Sequence, residues 1–179
     1  MNSIDLLLQR QSTPVLTAPA PENEELDKIL AAGMRVPDHA CLQPWHFTVI
    51  TGEGLQRLSD LLVQSSDENA NLEKIAKMPF RAPMIIVVST KYTKHDKVPA
   101  QEQLITAGCG VHAMQMAAVA LGYGAMWRTG DLAYNVKVKQ GLNIAKEDEI
   151  VGFLYIGSAC KEQNLKAAKP FEDKVTYWK

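Results

Sequence analysis

The chain has 179 residues, enough for one domain with a substantial buried core. Hydrophobic residues make up 46% and charged residues 22%, with a formal net charge of −1, so nothing in the balance favours nucleic acid or an anionic membrane surface. Three widely spaced cysteines, Cys41, Cys109 and Cys160, form no CxxC pair, which argues against a disulfide framework or a zinc site and for a reducing cytoplasm.

The opening MNSIDLLLQR lacks the basic region and long apolar core of a signal peptide. Ile4, Leu7 and Leu8 fall at helical spacing after Ser3, a suitable N-cap. Pro14 lies beyond that helix, and Pro19 and Pro21 mark an extended linker. Leu26, Ile29, Leu30 and Gly33 make a second amphipathic stripe, with Glu22, Glu24 and Glu25 near its start, where the helix dipole favours acids; Pro37 should stop it. His46 to Thr51 reads as a strand, and Leu55, Leu58, Leu61 and Leu62 as a third helix. A polar loop over Gln64 to Asn71 should precede a short helix at Leu72 to Met78. Met84 to Thr90 is a continuous apolar run, as expected of a strand covered on both faces.

Lys91 to Pro99 is charged and should be exposed. From Ile105 to Trp127 no residue is charged, a length that could span a bilayer. The stretch is rich in Ala and Gly, carries His112 and Gln115, and has few Leu, Ile or Phe. It therefore reads as a soluble helix buried all round, from about Gln101 to Leu121, ended by Gly122 and Gly124. Ala125 to Arg128 suggests a strand, Val136 to Leu142 a short helix and Ile150 to Ile156 a buried strand, before a polar tail over residues 160–179 that ends in aromatics. Helices alternating with buried strands make a mixed α and β chain with helices on both sheet faces, a single domain over residues 1–179.

Several clusters could carry chemistry. Arg10, Gln11 and Ser12 end the first helix; Arg offers a planar fork of donors that fits a phosphate, and Ser a short hydroxyl, though a solvated helix end reads the same way. Arg35-Val36-Pro37-Asp38-His39, then Gln43-Pro44-Trp45, sets cationic and hydrogen-bonding side chains in a proline-bounded irregular segment leading into a strand; a core Trp45 and a surface His39 are the plainer reading. Gly122 to Gly130 (GYGAMWRTG) would let backbone approach a ligand closely, with Arg128 able to meet an anion, or simply turn the chain from helix to strand. Gly108-Cys109-Gly110-Val111-His112-Ala113 fits G-x-G-x-x-A but lacks the strand that a dinucleotide fingerprint requires before it, so its glycines should serve helix packing. The four histidines show no metal-ligand spacing, no G-x-S-x-G elbow is present, and Cys41 has no evident activating partner, so a buried thiol is expected there.

Taken in order, these segments resemble the nitroreductase family, most closely a short branch of it. Arg10-Gln11-Ser12 resembles the opening R-R-S motif. Ala32 to His39 followed by Gln43-Pro44-Trp45 resembles the A-x-x-A-P-S-x-x-N-x-Q-P-W block. Arg81-Ala82-Pro83 before the buried strand, the Gly122 to Gly130 loop, Val151 to Gly157 and Lys169-Pro170-Phe171-Glu172 resemble further family segments, so the likeness covers nearly the whole chain. The family's second Arg falls on Pro14, its usual Asn on Cys41, and the Arg of its tail on Ala168.

The resemblance implies an α+β fold: a three-layer α/β/α sandwich about a central mixed sheet, in a homodimer with swapped terminal segments and FMN sites made from both subunits. It implies that Arg10, Gln11 and Ser12 bind the FMN phosphate and ribityl chain. Arg35 would neutralise charge or contact the pyrimidine edge, His39 would reach in from the other subunit, and Trp127, Arg128 and Thr129 would line the flavin. The implied activity is that of an FMN-dependent oxidoreductase. Hydride passes from NADH or NADPH to flavin N5, and then, in ping-pong fashion, to a nitroaromatic, quinone or similar acceptor, with no protein base or metal required. A dehalogenase or dehydrogenase on the same fold, and a protein that binds or senses flavin without turnover, are the alternatives.

Overall fold

The computed structural model describes residues 2–161 and 164–179. The first helix, α1 (Ser3–Gln9), is capped by Asn2 rather than Ser3: its side-chain oxygen accepts from the amides of Ile4 and Asp5 at 3.0 and 2.9 Å, a reach the residue before the first turn has and Ser3, already helical, lacks. No residue of α1 is buried within the chain. A two-residue strand, β1 (Leu16–Thr17), leads to α2 (Asn23–Gly33), which ends at Gly33, well before Pro37. Strand β2 (Trp45–Thr51), helices α3 (Glu53–Ser65) and α4 (Leu72–Ala76), and strand β3 (Met84–Thr90) follow. Then come α5 (Ala100–Ala120), β4 (Gly124–Arg128), α6 (Asp131–Tyr134), α7 (Val136–Gly141) and β5 (Ile150–Ala159).

Every ladder recorded among the described residues is antiparallel: β2 with β3, β3 with β5, β4 with β5, and β1 with the end of β5. Phe153 to Ile156 pair with β3 on one edge and β4 on the other, so β5 lies between them. The sheet is mixed in strand direction, as the resemblance implied, while each ladder between neighbours is antiparallel. Helix α5 returns the chain so that β4 runs parallel to β3, but β5 separates the two and no parallel hydrogen bonds form.

Strand β3 explains the layering. All seven of its residues are buried, and they alternate between two cores. Ile85 and Val87 join Leu55, Leu58 and Leu62 of α3, Val138 of α7, and Phe153 and Tyr155 of β5. Met84, Ile86 and Val88 join Ile29 of α2 and Ala107, Val111, Met114 and Ala118 of α5. Each fully buried branched side chain contributes about 1.5–3 kcal/mol relative to exposure, so this strand alone anchors both faces.

Helix α5 is buried on one face, not all round. Ala107, Val111, Met114 and Ala118 are sealed, whereas Cys109 and His112 are exposed and Ile105 is 59% exposed. Small residues on the inner face bring α5 close to α2: a Cβ on Gly110 would stand 3.5 Å from the Gly33 carbonyl oxygen. The G-x-G-x-x-A run lies in the middle of this helix, with no strand leading into it. Among the described residues no helix is long and apolar enough to cross a membrane.

Candidate functional site

The segment after α1 is spliced onto the edge of β4. The Thr13 amide donates to the Ala125 carbonyl at 3.0 Å, and Gly124 leaves room for this approach, since a Cβ there would fall 2.5 Å from Leu16 Cδ2. Arg10 Nη1 donates to Ser12 Oγ at 3.4 Å. From the other side, Arg128 Nη2 donates to the Pro14 carbonyl at 3.0 Å. The segment that carries Arg10 and Ser12 is thus tied to the β4 edge through Thr13 and, by way of Pro14, to Arg128. Gln11 sits in that segment, but its side chain is occupied: Nε2 donates to the Asn164 carbonyl at 3.1 Å and Oε1 accepts from the Lys166 amide at 3.2 Å. That amide clamps the C-terminal tail.

Arg128 is half-buried with its guanidinium 5.4 Å from the centre of the Tyr155 ring. Its Nε is buried and has no hydrogen-bond acceptor among the described residues. Burial first, and the neighbouring Arg81 second, hold its pKa below the ordinary arginine value, yet a guanidinium in a protein stays charged. Burial raises the Tyr155 phenol against the pull of both arginines. A cavity of about 340 Å³ opens here, walled by Leu62, Met78, Phe153 and Tyr155 and fringed by Arg81 and the Trp127–Gly130 segment.

Trp127 divides this cavity from a larger one of about 710 Å³, lined by Val36, Pro37, Leu104, Cys109, His112 and Tyr134 among others. Its Nε1 donates to the Val151 carbonyl at 3.2 Å and its ring covers Gly152. The outer part of the indole is exposed, as is Thr129. Both volumes lie in the range of about 300–1,000 Å³ typical of small-molecule sites.

Arg35 and His39 stand apart from this edge. Both are exposed, and His39 Nδ1 lies 3.0 Å from Glu102 Oε2 of α5. Among the described residues, no recorded hydrogen bond or shared cavity joins either to Arg10, Ser12 or Arg128. Their loop reaches the Trp127 region only through Val36 and Pro37. The loop is strained: Ala40, Cys41 and Gln43 have φ of 63°, 53° and 47°. Asp38 holds it, with Oδ2 accepting from the Gln43 amide at 2.7 Å and its carbonyl from the Cys41 amide at 3.2 Å. The Cys41 thiol is exposed, not buried as expected, because this turn points it outward.

Asn tolerates left-handed backbone better than Cys. Cys41→Asn should therefore stabilise the fold by up to about 1 kcal/mol, a rise of roughly 2–4 °C in thermal midpoint for a chain of this size. A fall in the calorimetric midpoint would contradict the strained geometry.

Sequence reasoning did not single out Arg81 and Tyr155, which line the same cavity as Arg128. Arg81 was visible only as the residue before Ala82-Pro83. Tyr155 reaches the cavity through the β4–β5 register, opposite Met126, which no local pattern encodes.

Residues 7–158 match the Nitroreductase family. A protein of Escherichia coli (strain K12), YdjA, named as a candidate NAD(P)H nitroreductase, is 46% identical over 99% of this chain and all of its own length. A Haemophilus influenzae protein with a similar name is 35% identical over the same shares. A crystal structure of a nitroreductase-like family protein from Bacillus cereus superposes with a TM-score of 0.89 at 26% identity, covering 99% of this chain and 96% of that one. With the family match and full-length identity added to the strand-edge arginines and the cavity beside Trp127, the chain belongs to the nitroreductase family.

Proposed function

We propose that this chain is an FMN-dependent oxidoreductase that passes hydride from NADH or NADPH to nitroaromatic, quinone or similar acceptors by a ping-pong mechanism. The observation that carries the reading is Arg128, whose buried Nε has no acceptor among the described residues and which lines a cavity shared with Trp127 and Thr129. A buried donor of this kind calls for a ligand atom. The residues present fit the cofactor: an Arg–Ser pair at an exposed edge suits a phosphate, and a cavity of aromatic and aliphatic walls suits a planar ring. Nitroreductase structures with bound FMN, from Bacteroides fragilis and Desulfovibrio desulfuricans, share the fold with TM-scores of 0.77 and 0.76.

Bound FMN would accept and return hydride at N5, and that chemistry is the cofactor's own. Arg10 and Ser12 hold the phosphate. Trp127, Arg128 and Thr129 line the ring, and Gln11 keeps the tail in place beside the phosphate end. Arg35 and His39 serve a second copy of the chain in a homodimer with swapped terminal segments, in a three-layer sandwich. Two features support the dimer: the exposed apolar face of α5, and terminal segments whose Leu7, Leu8, Tyr177 and Trp178 are all exposed in one chain.

Removing either cation tests the assignment. Arg10→Ala and Arg128→Ala should each weaken FMN binding about tenfold or more, since hydrogen bonds to charged groups contribute roughly 1.5–3 kcal/mol. Unchanged FMN affinity in both would sink these roles. The reading as a whole rests on the visible spectrum of the purified protein before and after anaerobic NADH or NADPH. Flavin bands that bleach support it. Flavin that stays oxidised with both donors leaves binding without turnover, and a colourless protein that takes up no FMN overturns the reading.

A further inference from the structure

The cavity beside Arg128 is lined by a second cation, Arg81, to which the family resemblance gave no role. Arg81 ends the 3-10 turn Pro79–Arg81, just ahead of β3. Its main chain is fixed from both sides: Pro79 and Ala82 are buried, and Pro83 packs so tightly on Gly157 that a Cβ there would stand 2.6 Å from Pro83 Cδ. Arg81 itself is half-buried, and its charge is near enough to depress Arg128 and to pull on the Tyr155 phenol. No carboxylate is among the described residues that line this cavity, and neither arginine is in a recorded salt bridge. Two like charges lining one cavity with apolar walls and no counter-group are costly, and native proteins keep such groups where something completes them.

What completes them is set by the walls. A phosphate dianion is strongly hydrated and suits the exposed Arg10–Ser12 edge. Leu62, Met78, Phe153 and Tyr155 instead favour a flat, weakly hydrated ring, and the two guanidinium groups together with the orphaned Arg128 Nε favour acceptor atoms on its edge. We infer that Arg81, paired with Arg128, seats the carbonyl-bearing edge of a planar heteroaromatic ring in this cavity. Arg81 thereby sets affinity for the ring itself and not for its phosphate tail. The inference rests on the flavin reading above, and it moves the ring-edge contact from Arg35 to Arg81.

The test is a pair of titrations of the flavin-free protein, followed by flavin fluorescence, with FMN and with riboflavin, which has the ring but no phosphate. Arg81→Met keeps an unbranched stem and removes the charge. It should weaken both ligands by the same factor, about tenfold or more. Arg10→Ala should weaken FMN and leave riboflavin unchanged. Riboflavin affinity equal to that of the parent protein in Arg81→Met, whether or not FMN affinity falls, overturns the inference while the flavin reading stands. A parent protein that binds neither ligand takes down both. Circular dichroism without flavin reports whether Arg81→Met folds; if it does not, Arg81→Gln carries the same titrations.

Discussion

Gly152→Ala is expected to dislodge Trp127 and to lower both stability and flavin affinity. A Cβ at position 152 would sit 2.1 Å from Trp127 Nε1, 2.5 Å from its Cδ1 and 3.0 Å from the Arg128 carbonyl oxygen. The ring cannot yield by rotating a flexible tip, because the clash falls on its five-membered portion. It must swing out and give up the bond to the Val151 carbonyl. The Arg128 carbonyl belongs to the partner strand, where Arg128 stands opposite Phe153, so the β4–β5 ladder is strained too. Overpacking of this kind costs about 1–3 kcal/mol, and the lost hydrogen bond adds about 1 kcal/mol. At roughly 2–4 °C per kcal/mol, the thermal midpoint should fall by several degrees.

Gly108→Ala is the matched comparison. Its Cβ would meet the same indole from α5, at 3.6 Å from Cη2, an ordinary contact. Replacing a mid-helix glycine should then stabilise by about 0.5–1 kcal/mol. Calorimetry on both variants decides the matter. Equal midpoints would mean that Trp127 is not held over Gly152, and the division between the two cavities would go with it.

The sequence carried the local elements well and the long-range ones poorly. The apolar run Met84–Thr90 coincides with β3 because a strand buried on both faces leaves an unbroken signature. Helix α5 was off by one residue at each end, but its facing was not readable. When both faces are built from Ala, Gly, Cys and Met, periodicity carries no contrast, and only packing against α2 and β3 decides that Ile105 points outward. Strand β1 has two residues and exists through its pairing with Ser158 and Ala159. The site divides the same way. Arg10, Ser12 and Trp127 to Thr129 were legible as motifs. Tyr155 depends on the β4–β5 register, Arg81 on the turn packed ahead of β3, and the contacts of Gln11 on a bond reaching across most of the chain.

If the proposed homodimer forms through α5, Ile105→Glu is expected to convert it, at twice the 19.8 kDa chain mass, into single chains. Ile105 is 59% exposed on a helix whose same face presents Cys109 and His112 and no Asp, Glu, Lys or Arg between Ile105 and Ala120. If that face is solvated, the change is an ordinary surface substitution, within about 0.5 kcal/mol in stability and without effect on mass. If it is the contact between two copies, a carboxylate enters an apolar interface with no partner, at an effective cost of several kcal/mol per ion, and two-fold symmetry applies that cost twice. Dissociation by sedimentation or light scattering then follows at micromolar concentration. The same sample answers a second question. If Arg35 and His39 act on the flavin of the other copy, the separated chains should also lose FMN affinity. Separated chains that hold FMN as tightly as the dimer would confine the whole cofactor site to the β4 edge of a single chain. An unchanged dimer would move the interface off α5, leaving the exposed termini as the place to look for it.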